Sequence, residues 1–464
     1  MSSATQTALA LNYGACAGSC TVREGRKFAR RICQAIVLLP LFTLILQPEY
    51  AQGLGDPETK SILYRATIGP LRLIDALLLG LIAAHVVVWA SSRSRRVGMP
   101  RSISIPGIGF LASIMLAAIY GALHGGVNLF FDWRALALGV GIYVVVAIWV
   151  RTQDDVRSAT LLFAFFMTVR IALLYWQFVR GGGDTIVGVR IPVFDGPTLS
   201  AIVFTGLLSL CMSDATTERL QKLLWTGLSA ASYLLVLLCF RRTFWAELGI
   251  GTLILIVMLK RGRGRTLVLA TLMIATVTGV LGPTFFQRVQ SLDFSSGESE
   301  FSQGNPDHVG EVLDAWDQVQ KQPLLGIGLG RSFQTLRVQT WKEESVMVHN
   351  APLHVWMKYG LMGLACYVWF HIAVFRWLWR TQKQSSIEKM QFHRVGVMRR
   401  RAASSLAVAC VITSAALAYL AAQFVVTLGF APWPYSSLQS TTLIAFVLAM
   451  AMAGTPPCKF QLFR

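Results

Sequence analysis

His349 and Asn350 stand where a polar segment ends and an apolar stretch begins, within SVMVHNAPLHVWMKYGLMG, residues 345–363. Asparagine is a preferred helix cap, and Pro352 would then fall in the first turn of a helix, where a missing N–H costs little. His349 is therefore expected just before a helix, at a water interface. Because imidazole takes up a proton near neutral pH, we predict that His349 is a general base. The alternative is an interfacial histidine with no catalytic role.

Four arginines form a second group of candidates. Arg190 lies in a short loop before an apolar stretch, and Arg241 with Arg242 forms the tight turn in CFRRTFWAEL. Arg288 opens a long polar loop. Guanidinium groups offer a fixed fork of donors that suits phosphate. We predict that Arg190 and Arg242 bind a lipid diphosphate, with Arg241 and Arg288 in support and Arg190 counted as catalytic. We also predict that Asn350 contacts the substrate. The alternative is that each arginine reaches individually to lipid headgroups or pairs locally, as Arg241 and Arg242 could with Glu247.

The composition indicates which elements must position these residues. Of the 464 residues, 54% are hydrophobic and only 14% are charged, whereas about 25% of a soluble domain is charged. The chain is therefore expected to be an all-α, polytopic membrane protein. The predicted spans are 31–47, 71–91, 103–121, 133–150, 158–179, 197–213, 220–239, 243–260, 266–286, 351–375, 402–428 and 436–454.

The net charge of +19 is distributed in short basic clusters between the apolar stretches. That distribution is typical of membrane orientation and argues against nucleic acid as a partner. With a cytoplasmic N-terminus, the clusters in 1–31, 92–102, 260–265 and 376–401 all lie in the cytoplasm. Both termini are therefore predicted to be inside.

The same count predicts the domain organisation. Residues 1–286 hold the first nine spans, 287–348 form a periplasmic loop, and 349–464 hold the last three spans and a cytoplasmic tail. A loop of this length is usually functional or disordered. No C-x-x-C pair suggests a metal site, and we expect no metal or other cofactor.

The predicted loop contains an amphipathic helix. NPDHVGEVLDAWDQVQKQP, residues 305–323, has a cap signal at its start and a proline at its end, which predicts a helix of about 14 residues. We expect this helix to pack on protein, because its polar face is acidic. GIGLG, residues 326–330, lacks the spacing of a dinucleotide-binding loop and is predicted to be a turn. The apolar face of the helix is predicted to contain Val309, Val312, Leu313, Trp316 and Val319.

The chain resembles the family of O-antigen ligases and lipid-linked oligosaccharide polymerases. HNAPLHVWMKYGLMG is similar to the family pattern of His-Asn, a leucine and two glycines three apart, represented here by His349, Asn350, Leu353, Gly360 and Gly363. These five residues carry the clearest part of the resemblance.

Three further segments carry the rest of the resemblance, which covers roughly residues 150–375. QPLLGIGLGRSF, residues 322–333, is similar to a glycine-rich run of the family. RRTFWAEL is similar to a Ser-Arg-Gly-Ala element, with Arg242 in the arginine position. RIPVFDGPTLSAIV resembles an arginine followed by an Asn-Pro-Asn-like turn, which is replaced here by DGPT at 195–198.

The resemblance implies transfer of a glycan from undecaprenyl diphosphate at the periplasmic face of the bacterial inner membrane. We predict an O-antigen ligase whose acceptor is lipid A-core, acting without a metal and inverting the anomeric centre, with membrane lipids around it. Within the family, a polysaccharide polymerase and a protein O-oligosaccharyltransferase remain alternatives. A polytopic transporter or flippase is the alternative from another class, and it would require repeat symmetry and a binding site at the midplane.

Overall fold

The computed structural model describes residues 67–68, 71–91, 99–126, 129–186, 189–193, 195–258, 304–337, 344–345, 348–395, 400–429 and 438–454. All of them belong to the second of two compact units, Leu44–Arg464. Predicted spans 31–47 and 266–286 and the candidate residue Arg288 lie outside the described residues.

Helices make up most of the described chain. They are α1 (Leu73–Ser91), α2 (Arg101–Leu123), α3 (Leu129–Trp149), α4 (Gln153–Val179), α5 (Gly196–Ala215), α6 (Arg219–Leu238), α7 (Arg242–Met258), α8 (Gly304–Lys321), α9 (Ala351–Val395), α10 (Arg400–Gly429) and α11 (Leu438–Gly454).

The described strands form short antiparallel pairs next to the helix ends. They are β1 (Thr67–Ile68) with β2 (Leu71–Arg72), β3 (Asp184–Ile186) with β4 (Val189–Ile191), and β5 (Phe333–Gln334) with β6 (Glu344–Ser345).

Ten of the twelve predicted spans coincide with helices of the structure. Within the described residues, seven helices are long and apolar enough to cross a membrane. Two more apolar segments, Asp75–Val87 and Ser440–Ala453, are shorter. The predicted helical, multi-pass membrane protein is confirmed at this level, while the count of twelve and the orientation stay predictions.

Local sequence explains where several of these helices begin. Thr152 and Asp155 form a capping box at the start of α4, with the Asp155 amide donating to Thr152 Oγ1 at 3.2 Å and the Thr152 amide to Asp155 Oδ2 at 2.9 Å. Asp195 caps α5 by accepting from the Thr198 amide at 2.9 Å. Residues 198–213 of α5 are all buried, so α5 forms the centre of the bundle.

Gly360 breaks α9 into a short first segment, 351–359, and a long second one. Its φ of 70° and ψ of −175° are not helical, and the left-handed region of φ favours glycine. The break leaves backbone groups of α9 without partners inside the helix, and the glycine-rich run, residues 322–333, forms hydrogen bonds with them. The Leu361 amide donates to the Pro323 carbonyl at 3.0 Å, and the Ile327 amide donates to the Met357 carbonyl at 2.7 Å. The run is thus a docked turn, as predicted.

A buried ion pair fastens this docked turn to the bundle. Lys358 is fully buried, and its Nζ donates to Asp132 Oδ2 at 3.0 Å and to the Arg331 carbonyl. The same Asp132 oxygen accepts from the Gly330 amide at 2.8 Å. One lysine therefore links α3, α9 and the turn between α8 and β5.

The amphipathic helix is present as α8, 18 residues long, but its predicted buried face is largely wrong. Val309, Leu313 and Trp316 are exposed, and of the predicted set Val319 is buried and Val312 partly buried. The inward face carries two acids, Glu311 and Asp314, with Ala315 between them and Val319. Periodicity groups residues on a face, but partners decide which face is buried. α8 was expected to pack on protein, and it packs on α9.

Candidate functional site

Asn350 fixes the start of α9 against the end of α10. Its Oδ1 accepts from the Leu353 amide at 3.0 Å, which is the predicted cap, and its Nδ2 donates to the Leu428 carbonyl at 2.8 Å. Both polar ends of this side chain therefore bond within the protein. This gives Asn350 a positioning role, and its predicted contact with substrate stays a prediction.

His349 lies one residue before that cap, with its side chain 30% exposed. Its Nδ1 lies 2.8 Å from Oε2 of Glu311, and its backbone amide lies 3.4 Å from the same oxygen. Glu311 itself is only 1% exposed. A partly open imidazole therefore contacts a buried carboxyl group from a separate helix, α8.

Sequence reasoning missed Glu311 because it assigned this residue only to the acidic polar face of α8. The signal that was available is its spacing from Asp314, since residues three apart on a helix share a face. Asp314 is buried as well and pairs with Arg337, at 2.7 Å to the guanidinium and 2.9 Å to the amide. The ion pairs with Asp314 and Asp317 raise the pKa of Arg337.

Arg190 lies on β4 opposite Thr185 and has an exposed side chain. It donates to the Phe178 carbonyl near the end of α4, and its guanidinium carbon is 4.8 Å from the centroid of the Phe178 ring. Guanidinium carries five donors. The Phe178 contacts therefore hold the side chain while leaving donor capacity at the surface.

Arg241 and Arg242 follow a strained turn between α6 and α7. Phe240, buried and at a φ of 51°, precedes them, and a bulky residue in that region costs about 1–3 kcal/mol. Such strain is retained where the surrounding packing fixes the turn. Here it sets the direction of two adjacent arginines at the start of α7.

Asp195 forms an electrostatic cluster with Arg241 and with Arg170 of α4. Burial raises the pKa of the Asp195 carboxyl, while bonds from Thr198 and the two arginines act in the opposite direction. Burial also lowers the pKa of Arg241, which Asp195 opposes. Arg241 therefore has a carboxylate partner inside the protein.

Contacts between helix ends bring these elements to one end of the bundle. Ser200, near the start of α5, donates to Glu247 near the start of α7 at 3.2 Å and lies 2.9 Å from the Tyr419 hydroxyl. Tyr419 lies in the C-terminal half of α10, and the carbonyl of Leu428 at the end of that helix accepts from Asn350 Nδ2. The N-terminal ends of α5, α7 and α9 therefore lie together with the C-terminal end of α10.

The candidate residues that the structure describes lie at or just before those helix ends. Arg190 precedes α5, Arg241 and Arg242 lead into α7, and His349 precedes α9. Further along α9, His354 and Lys358 are both buried, and Lys358 is bound to Asp132. Among the described residues, no group of three His, Cys, Asp or Glu side chains could hold a metal.

Comparison with known proteins identifies the same region. Residues 227–368 match a protein-family model described as O-Antigen ligase. The matched segment begins in α6 and ends in α9, so it includes the arginine turn, α8 and His349, whereas Arg190 precedes it. No curated protein matches the chain. The match confirms the resemblance predicted from the motifs, over a shorter segment than the motifs suggested.

Proposed function

We propose that this chain, whose residues 227–368 match the O-antigen ligase family, transfers a glycan from undecaprenyl diphosphate to lipid A-core. The reaction takes place at the periplasmic face of the bacterial inner membrane. The match supports glycosyl transfer of the ligase or polymerase type. The apolar helices support a multi-pass membrane enzyme.

The arginines hold the leaving group. Diphosphate departs easily once its charge is neutralised, and fixed guanidinium donors supply that neutralisation without a metal. Arg190 and Arg242 are the main ligands, because Arg190 is exposed and Arg242, the first residue of α7, occupies the arginine position of the family element. Arg241 and Arg288 contribute further positive charge to this binding.

His349 removes the proton from the acceptor. Its imidazole takes the proton of the acceptor hydroxyl while the oxygen attacks the anomeric carbon of the glycan. The bond between that carbon and the diphosphate oxygen breaks, and the electron pair leaves with undecaprenyl diphosphate. Attack opposite the leaving group inverts the anomeric centre.

One observation carries this proposal: a partly exposed imidazole is fixed at the start of α9, on the end of the bundle where α5 and α7 also begin. A diphosphate at the arginines and an acceptor at His349 would approach the same surface. The transporter alternative lacks comparable support, since the family match indicates an enzyme. A polymerase shares both the match and the chemistry, so the acceptor must be tested.

The lipopolysaccharide of a deletion strain tests the acceptor. Loss of long glycan from lipid A-core, with lipid-linked polymer accumulating, is the result expected of a ligase. Loss of polymer length alone would overturn the ligase assignment in favour of a polymerase.

Complementation of the same strain tests the base. His349→Ala should insert normally and reduce transfer by about 10²–10⁴-fold, the usual contribution of general-base catalysis. His124→Ala is the matched control, because His124 is an exposed histidine just after α2, whose C-terminal part packs against the docked turn beside α9. Full transfer by His349→Ala would refute its assignment as the base.

A further inference from the structure

The Glu311 contact has a chemical consequence that a packing contact would lack. The carboxyl group of Glu311 is 1% exposed and lies on α8, 38 residues away from His349 in sequence. A buried carboxyl group needs hydrogen bonds or charge partners to offset lost hydration. Two of its contacts come from His349, one from the ring and one from the backbone amide.

Hydrogen-bond chemistry decides the tautomer of the ring. An ionised carboxylate can only accept, so the ring nitrogen 2.8 Å away, Nδ1, must carry the proton. The neutral imidazole then has its lone pair on Nε2. Nδ1 contacts Glu311 and the side chain is 30% exposed, so Nε2 is the nitrogen to which the base role falls.

Other charges surround this pair. On α9, His354 interacts electrostatically with both Glu311 and Lys358. On α8, Asp314 is paired with Arg337. Lys358 is neutralised by Asp132, and Arg337 by its two acids. Lys358 and Arg337 therefore each have their own carboxylates, and Glu311 is the acid in contact with His349.

We propose that Glu311 is the positioning residue of the catalytic base: it fixes the His349 ring with Nε2 towards the acceptor and stabilises the imidazolium that forms when the proton is taken. This inference rests on the proposed function of His349. In this pair, His349 before α9 takes the proton and Glu311 on α8 positions it, so the base requires residues from both segments.

Glu311→Gln separates positioning by charge from simple packing. The amide has the same shape and keeps one hydrogen bond, but it cannot stabilise an imidazolium. We expect kcat to fall at least tenfold with little change in KM, as part of the roughly 10²–10⁴-fold that a general base provides. The acid limb of the pH–rate profile should move to lower pH, because the protonated ring has lost its counter-charge.

Glu311→Asp and Asp314→Asn complete the set. Aspartate keeps the charge but is one methylene shorter, so kcat should fall while the acid limb stays nearer to that of the wild type. Asp314→Asn removes another buried α8 carboxyl group, whose partner is Arg337 rather than His349. This control should lower the unfolding temperature in detergent and leave the acid limb in place.

The assay uses the full-length protein in proteoliposomes, with lipid-linked glycan extracted from the deletion strain and lipid A-core as acceptor. If Glu311→Gln had the kcat and the acid limb of the wild type while His349→Ala was inactive, the role of Glu311 would be overturned and the proposed function would stand. Full transfer by His349→Ala would overturn the proposed function instead. A shift of the acid limb in Asp314→Asn equal to that in Glu311→Gln would show a general charge effect and also refute the proposal.

Discussion

Replacing Gly360 by alanine should loosen the junction that holds the first segment of α9. The φ of 70° costs an L-residue about 1–2 kcal/mol. The new Cβ would also overlap the Leu324 carbonyl oxygen and lie 2.7 Å from the Leu325 carbonyl carbon. These are backbone atoms that cannot rotate away, and overpacking of this kind costs roughly 1–3 kcal/mol more. The expected loss in the free energy of unfolding is therefore roughly 2–5 kcal/mol.

Thermal unfolding in detergent measures this loss, and Gly227→Ala is the control. Gly227 lies in α6, with open space where a Cβ would go. Alanine is the better helix former by about 1 kcal/mol, so this variant should be as stable as the wild type or more stable. Transfer should also fall in Gly360→Ala, because segment 351–359 directly follows His349. Wild-type stability and transfer in Gly360→Ala would refute the reasoning.

Two further predictions concern the charged residues around this junction. Lys358→Met should lower the free energy of unfolding by about 3–5 kcal/mol in chemical denaturation, because it leaves Asp132 as an uncompensated buried charge. The double variant that also carries Asp132→Asn should recover part of that loss. No recovery would contradict the ion-pair argument. Arg190→Ala should weaken donor binding at least tenfold, and Arg190→Lys should restore it poorly because an ammonium lacks the fork. Arg180→Ala is the control: it removes a guanidinium lying 4.0 Å from the centroid of the Trp176 ring and should bind donor as the wild type does. If Arg190→Ala also bound donor with wild-type affinity, Arg190 would be excluded as a ligand.

Much of the candidate site was predictable because its signals are local. A helix cap depends on residues within one turn, so the Asn350 cap could be predicted from the order of residues alone. The same holds for the arginine turn, since two cations between apolar stretches must lie at a membrane surface. The glycine-rich run also has a local signature that predicts a turn, although no local signal predicts that this turn docks at the break in α9 around Gly360.

The partners of these residues were not predictable, because they depend on contacts between distant segments. Nothing near His349 in sequence identifies Glu311, and the cluster of Asp195 with Arg170 and Arg241 joins three separate elements. The sequence assigned the acids of α8 only to the polar face of that helix. They are buried because His349 and Arg337 provide partners that offset the lost hydration.

The sequence by itself determined the helical class and most of the spans, because a bilayer requires long apolar segments that bond their own backbone. Hydropathy reports that requirement residue by residue, without reference to the rest of the chain. Only the tertiary structure decided which face of α8 is buried, where α9 breaks and which acid contacts the candidate base. Each of these depends on the groups that another segment presents at that point, and a single stretch of sequence does not contain them.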